Sequence, residues 1–192
     1  LILFTWGKET LPIANVPNGY DYNQTALHYG LQNGDKIIAI DNQKVVDMKD
    51  VVNKVLLDNK QHLKVQRGDS IVNITLPNTF TKEMIGNGEK QFAVPRFPFV
   101  VGGFVDNSLA KKAGMKVGDS IVALNNTPTA SFSEFAKEIS KYQDKEVIVA
   151  YYRNNVLDSV RLTLTKEGKI GAYCKDYTKE LKTVKTTYGF FE

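Results

Sequence analysis

The chain has 192 residues, 42% of them hydrophobic, which suffices for two modest cores of roughly 80 to 90 residues each and for no large one. Its 25 basic and 21 acidic residues leave a formal net charge of +4, scattered along the chain with no basic stripe interleaved with aromatics, which argues against a nucleic-acid surface. A single cysteine, Cys174, excludes an intrachain disulfide and a cysteine-based metal cluster.

In chain order, Leu1-Ile2-Leu3-Phe4-Thr5-Trp6-Gly7 is an apolar run too short to cross a bilayer, which takes about 20 residues. It fits the last turns of a membrane helix with Trp6 at headgroup level, or a buried first strand. A proline-bearing stretch follows, Leu11-Pro12-Ile13-Ala14-Asn15-Val16-Pro17-Asn18-Gly19, and then a short helical piece near Ala26. Next comes Gly30-Leu31-Gln32-Asn33-Gly34-Asp35-Lys36-Ile37-Ile38-Ala39-Ile40. It recurs as Gly114-Met115-Lys116-Val117-Gly118-Asp119-Ser120-Ile121-Val122-Ala123-Leu124, so the chain holds two copies of one unit. In both copies a Gly-x-x-x-Gly-Asp turn leads into alternating apolar residues, the pattern of a half-buried strand.

The repeat continues. Met48, Val51, Val52 and Val55 share one helix face, and the same step lands on Phe132, Phe135, Ala136 and Ile139. Ser131 with Glu134 fits a capping box, and Asp47 with Asp50 is a looser version. Two hairpins follow, 63–67 with 71–76 and 147–153 with 156–164. They turn at Arg67-Gly68-Asp69-Ser70 and at Asn154-Asn155, residues that tolerate positive φ. Between the copies, polar residues and Pro95 and Pro98 mark a junction, with Phe80, Met84, Ile85 and Phe92 suggesting a packed one. The boundaries read as a first domain at 1–79, a linker at 80–95, a second domain at 96–174 and a terminal segment at 175–192. That last segment carries Lys175, Lys179, Lys182 and Lys185, a solvated face, and ends in the aromatic Tyr188-Gly189-Phe190-Phe191.

Catalytic motifs are missing from the sequence. His28 and His62 are isolated and form no H-E-x-x-H, no G-x-S-x-G elbow is present, and nothing near Cys174 activates a thiol. Gly102-Gly103 lacks the lysine and hydroxyl of a phosphate loop. Peptide capture fits better. Val100, Val101, Gly102, Gly103, Phe104 and Val105 place two glycines inside an extended apolar run whose amides could meet a ligand chain, with Phe132, Phe135 and Ile139 as a pocket wall. The same three side chains also fit plain core packing. In the first copy the matching groove would use Ile13, Ala14, Asn15, Met48, Val51 and Val55. It should be weaker, since Pro12 and Pro17 lack amide donors.

The order of strand, short helix, G-x-x-x-G-D-x-I, strand, capped helix and hairpin, met twice, resembles the circularly permuted PDZ domains of bacterial proteases. Val94-Pro95-Arg96-Phe97-Pro98-Phe99-Val100-Val101-Gly102 resembles the entry to the second PDZ domain of the RseP family of site-2-type intramembrane zinc metalloproteases. The resemblance implies a mainly β fold with short helices (α+β), each PDZ domain a small, partly open barrel or sandwich. It implies a region on the periplasmic face of the bacterial inner membrane, between membrane spans of a parent enzyme that cleaves single-span regulators already trimmed elsewhere. Zinc would belong to the parent's membrane part, with no cofactor in this segment. The family's H-E-x-x-H helix and aspartate-bearing span are absent here, since Leu157-Asp158-Ser159 lies in a strand and lacks the expected glycine, so the segment is expected to be inactive alone. Protein or peptide substrates, including trimmed C-termini, are the implied partners. Capture of a new C-terminus and exclusion of untrimmed substrates by bulk both remain open, as do a stand-alone tandem PDZ adaptor or chaperone-like module binding exposed protein C-termini and a regulatory segment of a trypsin-like protease.

Overall fold

A computed structural model describes residues 8–186. The expectations for Leu1 to Trp6 and for Tyr188 to Phe191 lie outside the described residues. The chain forms two compact units, Leu1–Arg96 with Lys179–Glu192, and Phe97–Thr178.

The first unit contains β1 (Lys8–Thr10), a 3-10 turn (Ile13–Asn15), β2 (Tyr20–Tyr22), α1 (Gln24–His28), β3 (Lys36–Ile40), β4 (Gln43–Lys44) and α2 (Met48–Val52). α2 widens into a π turn at Asn53–Leu57, before β5 (His62–Arg67), β6 (Ser70–Thr75), α3 (Phe80–Gly86) and β7 (Ala93–Pro95). The second unit runs β8 (Phe99–Phe104), α4 (Leu109–Lys112), β9 (Ser120–Leu124), β10 (Thr127–Pro128), α5 (Phe132–Ile139), β11 (Glu146–Arg153), β12 (Val156–Thr163) and β13 (Ala172–Cys174). Finally β14 (Val184–Thr186) returns to the first unit and pairs antiparallel with β1. The fold is therefore mainly β with short helices. Its sheets are open, ordered β4-β3-β5-β6 in the first unit and β12-β11-β9-β8-β13 in the second, with β2-β7 as a separate pair.

Local chemistry explains the matching elements. Ser131 Oγ accepts the Glu134 amide at 3.1 Å while the Glu134 carboxylate takes the Ala130 amide at 2.8 Å, fixing the start of α5. Asp47 does the same for α2, accepting the Asp50 amide at 2.7 Å. Asn154 and Asn155 both adopt positive φ, at 50° and 64°, which closes the β11–β12 hairpin with the twist its strands need.

Each Gly-x-x-x-Gly-Asp turn also carries a clamp. Arg153 donates from Nε and Nη2 to the two carboxylate oxygens of Asp119 at 2.8 and 2.7 Å, and from Nη2 to the Gly114 carbonyl at 3.0 Å. Arg67, Asp35 and Gly30 repeat the arrangement at 2.9, 2.8 and 2.8 Å. A bidentate arginine thus ties the end of each long central strand to the turn before its neighbour.

Residues 80–95, expected as a linker, fold as α3 and β7 within the first unit. Phe80, Met84 and Phe92 are buried in the same core as Val51, Val55 and Leu63, and Phe80 meets Tyr29 and Phe92 edge to face. The lysine-bearing terminal segment holds no described helix. It is irregular from 175 to 183 and then becomes β14, with Thr183 Oγ1 donating to the Glu9 carboxylate.

Candidate functional site

The second unit opens a groove of about 570 Å³ between α5 and the chain at 165–172. Phe99, Phe132, Phe135, Ile139 and Ile170 form its apolar wall, and Val105 to Leu109 close one end. Phe99 holds Phe132 and Phe135 edge to face at 5.0 and 5.1 Å. Phe135 and Ile139 are buried while Phe132 stays 41% exposed at the rim, so the helix face serves both the core and the groove.

The strand beside the groove is β13, the last strand of its sheet. Its register decides what it offers. The Val105 amide bonds the Gly171 carbonyl and the Lys175 amide bonds the Val100 carbonyl, so Gly171 and Lys175 face β8. By alternation the backbone groups of Ala172 and Cys174 point to the free edge. Just before β13, Gly168 and Gly171 both take positive φ, at 65° and 76°. The amides of Lys169 and Ile170 between them donate no hydrogen bond among the described residues. Successive free amides in a glycine-framed turn make an anion-holding concavity.

This corrects the expected placement of the capturing loop. Val100, Val101, Gly102, Gly103 and Phe104 lie within β8, between β9 and β13, and do not form an open edge. The register slips between Tyr173 and Cys174, a bulge that leaves Gly102 unopposed, and a Cβ there would meet the Lys175 backbone at 2.7 Å. Gly103 lies beneath the Tyr173 ring, where a Cβ would meet the phenol oxygen at 2.2 Å. Gly102 makes room for the backbone that follows β13 and Gly103 for the Tyr173 ring. Of the expected residues, Phe132, Phe135, Ile139 and Val105 do converge on the groove. The loop 167–171 was missed because Lys166-Glu167-Gly168-Lys169 reads as an ordinary polar turn. Its signal was the second glycine, Gly171, ahead of an apolar strand.

In the first unit, Ile13, Val51 and Val55 are buried in the core and Met48 is partly so, while in the 3-10 turn Ala14 is exposed and Asn15 half-buried. Cys174 is half-buried, its Sγ near the Pro98 carbonyl, and burial pushes its thiol up despite the Val100 and Lys175 backbone contacts. It is a packed thiol, not a nucleophile.

Among the described residues no group of three or more His, Cys, Asp or Glu side chains could hold a metal ion, so the donor set does not fit zinc here. No described helix is long and apolar enough to cross a membrane.

No protein-family profile matches the chain. A Neisseria meningitidis serogroup A protein bearing the name of a zinc metalloprotease, NMA0084, is 29% identical over 136 residues, covering 67% of this chain and 30% of the relative. The zinc metalloprotease RasP of Shouchella clausii is 36% identical over 61 residues, 32% of this chain and 15% of the relative. The chain resembles the PDZ region of RseP-type zinc metalloproteases. It spans less than a third of the length of either relative. Among solved structures, the PDZ domain of an SdrC-like protein from Listeria monocytogenes is similar with a TM-score of 0.36 and 22% identity, covering 42% of this chain and 90% of that one.

Proposed function

We propose that this chain is the non-catalytic, peptide-binding and substrate-gating PDZ region of a membrane-embedded zinc metalloprotease. Both units are circularly permuted PDZ domains, with β13 and β7 as the permuted strands. The parent cleaves membrane-anchored regulators, holds its zinc in its membrane part, and displays these domains on the periplasmic face. The observation that carries the reading is the groove of the second unit: an apolar trough between α5 and the free edge of β13, ending at the unengaged amides of Lys169 and Ile170. An extended peptide laid there gains ladder hydrogen bonds from Ala172 and Cys174, buries an alternate side chain against Phe135 and Ile139, and brings its terminal carboxylate to the turn.

The test is an amide-resolved NMR titration with peptides whose C-termini are free or amidated. Free-terminus peptides should shift Lys169, Ile170, Ala172 and Cys174, and amidation should weaken binding by at least tenfold. Equal binding by both sets removes the carboxylate from the reading, and binding by neither leaves exclusion by bulk as the gating mechanism.

A further inference from the structure

We infer that strand addition is confined to the second unit, because the first closes its corresponding edge with a proline and places its own carboxylate at the corresponding corner. The inference rests on the peptide-binding reading above and says which copy performs it.

The two edges can be aligned residue by residue. In the first unit the Asn23 amide bonds the Phe92 carbonyl and the Arg96 amide bonds the Gly19 carbonyl, so Phe92 and Arg96 face β2. Tyr20 then opposes Pro95 and Tyr22 opposes Ala93 as non-bonded pairs, leaving the backbone of Ala93 and Pro95 pointing outward. The outward pair is Ala172 and Cys174 in the second unit. Pro95 therefore stands where Cys174 stands, and it has no N–H to give an incoming strand.

The corner differs as well. The start of α4, at Ser108 and Leu109, lines the groove of the second unit. The matching start of α1 already receives an acid. The Glu89 carboxylate accepts the amides of Gln24 and Thr25 at 2.8 and 3.2 Å. Asn87 Nδ2 donates to Thr25 Oγ1 at 2.9 Å beside it. Glu89 is thus a built-in carboxylate at the first unit's corner, tied to the insertion that carries α3. Among the described residues no carboxylate accepts the amides that open α4: the Lys111 amide goes to Ser108 Oγ at 3.1 Å, and Glu167, on the groove's lining with Asp106, pairs with Lys169 at 3.4 Å.

The experiment titrates the whole chain with a library of ten-residue peptides randomised at their last four positions, carrying free C-termini, with an amidated library as control. Binding is mapped by amide shifts and counted by calorimetry. The expected result is one equivalent, shifts at Lys169, Ile170, Ala172 and Cys174, and none at Gln24, Thr25 or Ala93. Cys174→Pro, which copies the first unit's proline into the second, should weaken binding roughly tenfold through lost ladder bonds. Should that variant fail to fold, the wild-type map decides alone. Two equivalents, shifts at Ala93, or full affinity in a folded Cys174→Pro chain overturn the confinement while peptide binding itself stands. Absence of binding by the wild-type chain overturns the underlying reading and this inference together.

Discussion

Asp119→Asn isolates the clamp that the duplication preserved. Asp119 is 1% exposed, and its carboxylate accepts from Arg153 Nε, Arg153 Nη2 and the Lys116 amide at 2.8, 2.7 and 2.7 Å. An asparagine keeps the shape but replaces one oxygen with an NH2 group. Whichever way the amide turns, that group faces a donor, so one charge-assisted bond becomes a clash and the others become neutral. Hydrogen bonds to charged groups contribute about 1.5–3 kcal/mol each, which puts the loss at about 2–3 kcal/mol. For a unit of this size that lowers Tm by roughly 10–20 °C. Urea unfolding followed by amide peak intensities reads the second unit separately from the first. A loss below about 0.5 kcal/mol refutes the reasoning. The pH dependence has a definite sign. Burial pushes the Asp119 carboxyl up, but the Arg153 hydrogen bonds, the Lys116 amide and the nearby positive charges outweigh it and hold the group below its ordinary value of 3.8. The unfolded chain therefore takes up a proton first as pH falls. The wild-type advantage over Asp119→Asn is full above the ordinary value and is lost as pH drops through the depressed native one.

Three further outcomes are expected. Gly102→Val drives a side chain into the Lys175 backbone and should lower stability by about 1–3 kcal/mol by urea unfolding, whereas Gly103→Val meets only the exposed end of the Tyr173 ring, which can swing aside, and should cost less than about 0.5 kcal/mol. Ser131→Ala removes the cap of α5 and should lower stability by about 1 kcal/mol, measured in the same way. Cys174 should react with iodoacetamide more slowly at pH 8 than a free cysteine peptide, because burial raises its thiol; an equal rate contradicts that packing.

Much of the fold was legible locally. The paired Gly-x-x-x-Gly-Asp turns, the Ser131 and Asp47 caps and the Asn154-Asn155 hairpin each depend on neighbours within a few residues, and all form in place. The clamp between Arg153 and Asp119 was not visible, since nothing local at either residue announces a partner 34 positions away. α3 was hidden for a different reason. Phe80 and Met84 stand one helical turn apart, but polar and glycine residues around them read as a junction until their burial beside Phe92 is seen. The groove was half legible. The apolar face of α5 predicted its wall, while Gly102-Gly103 pointed to β8 in place of the turn before β13. A glycine pair marks a close approach without saying what approaches, and here the visitor is the chain's own β13.

The pairing of β1 with β14 has a mechanical consequence. Lys8 pairs with Thr186, Glu9 with Lys185 and Thr10 with Val184, so the two described ends lie side by side at one end of a short ladder. Tension pulling the two ends apart loads these pairs one at a time, as a zipper, in place of shearing them together. The ladder yields first and pays out a few residues of slack. A tug on the ends is thereby absorbed in three residue pairs before it reaches the packed side chains behind them.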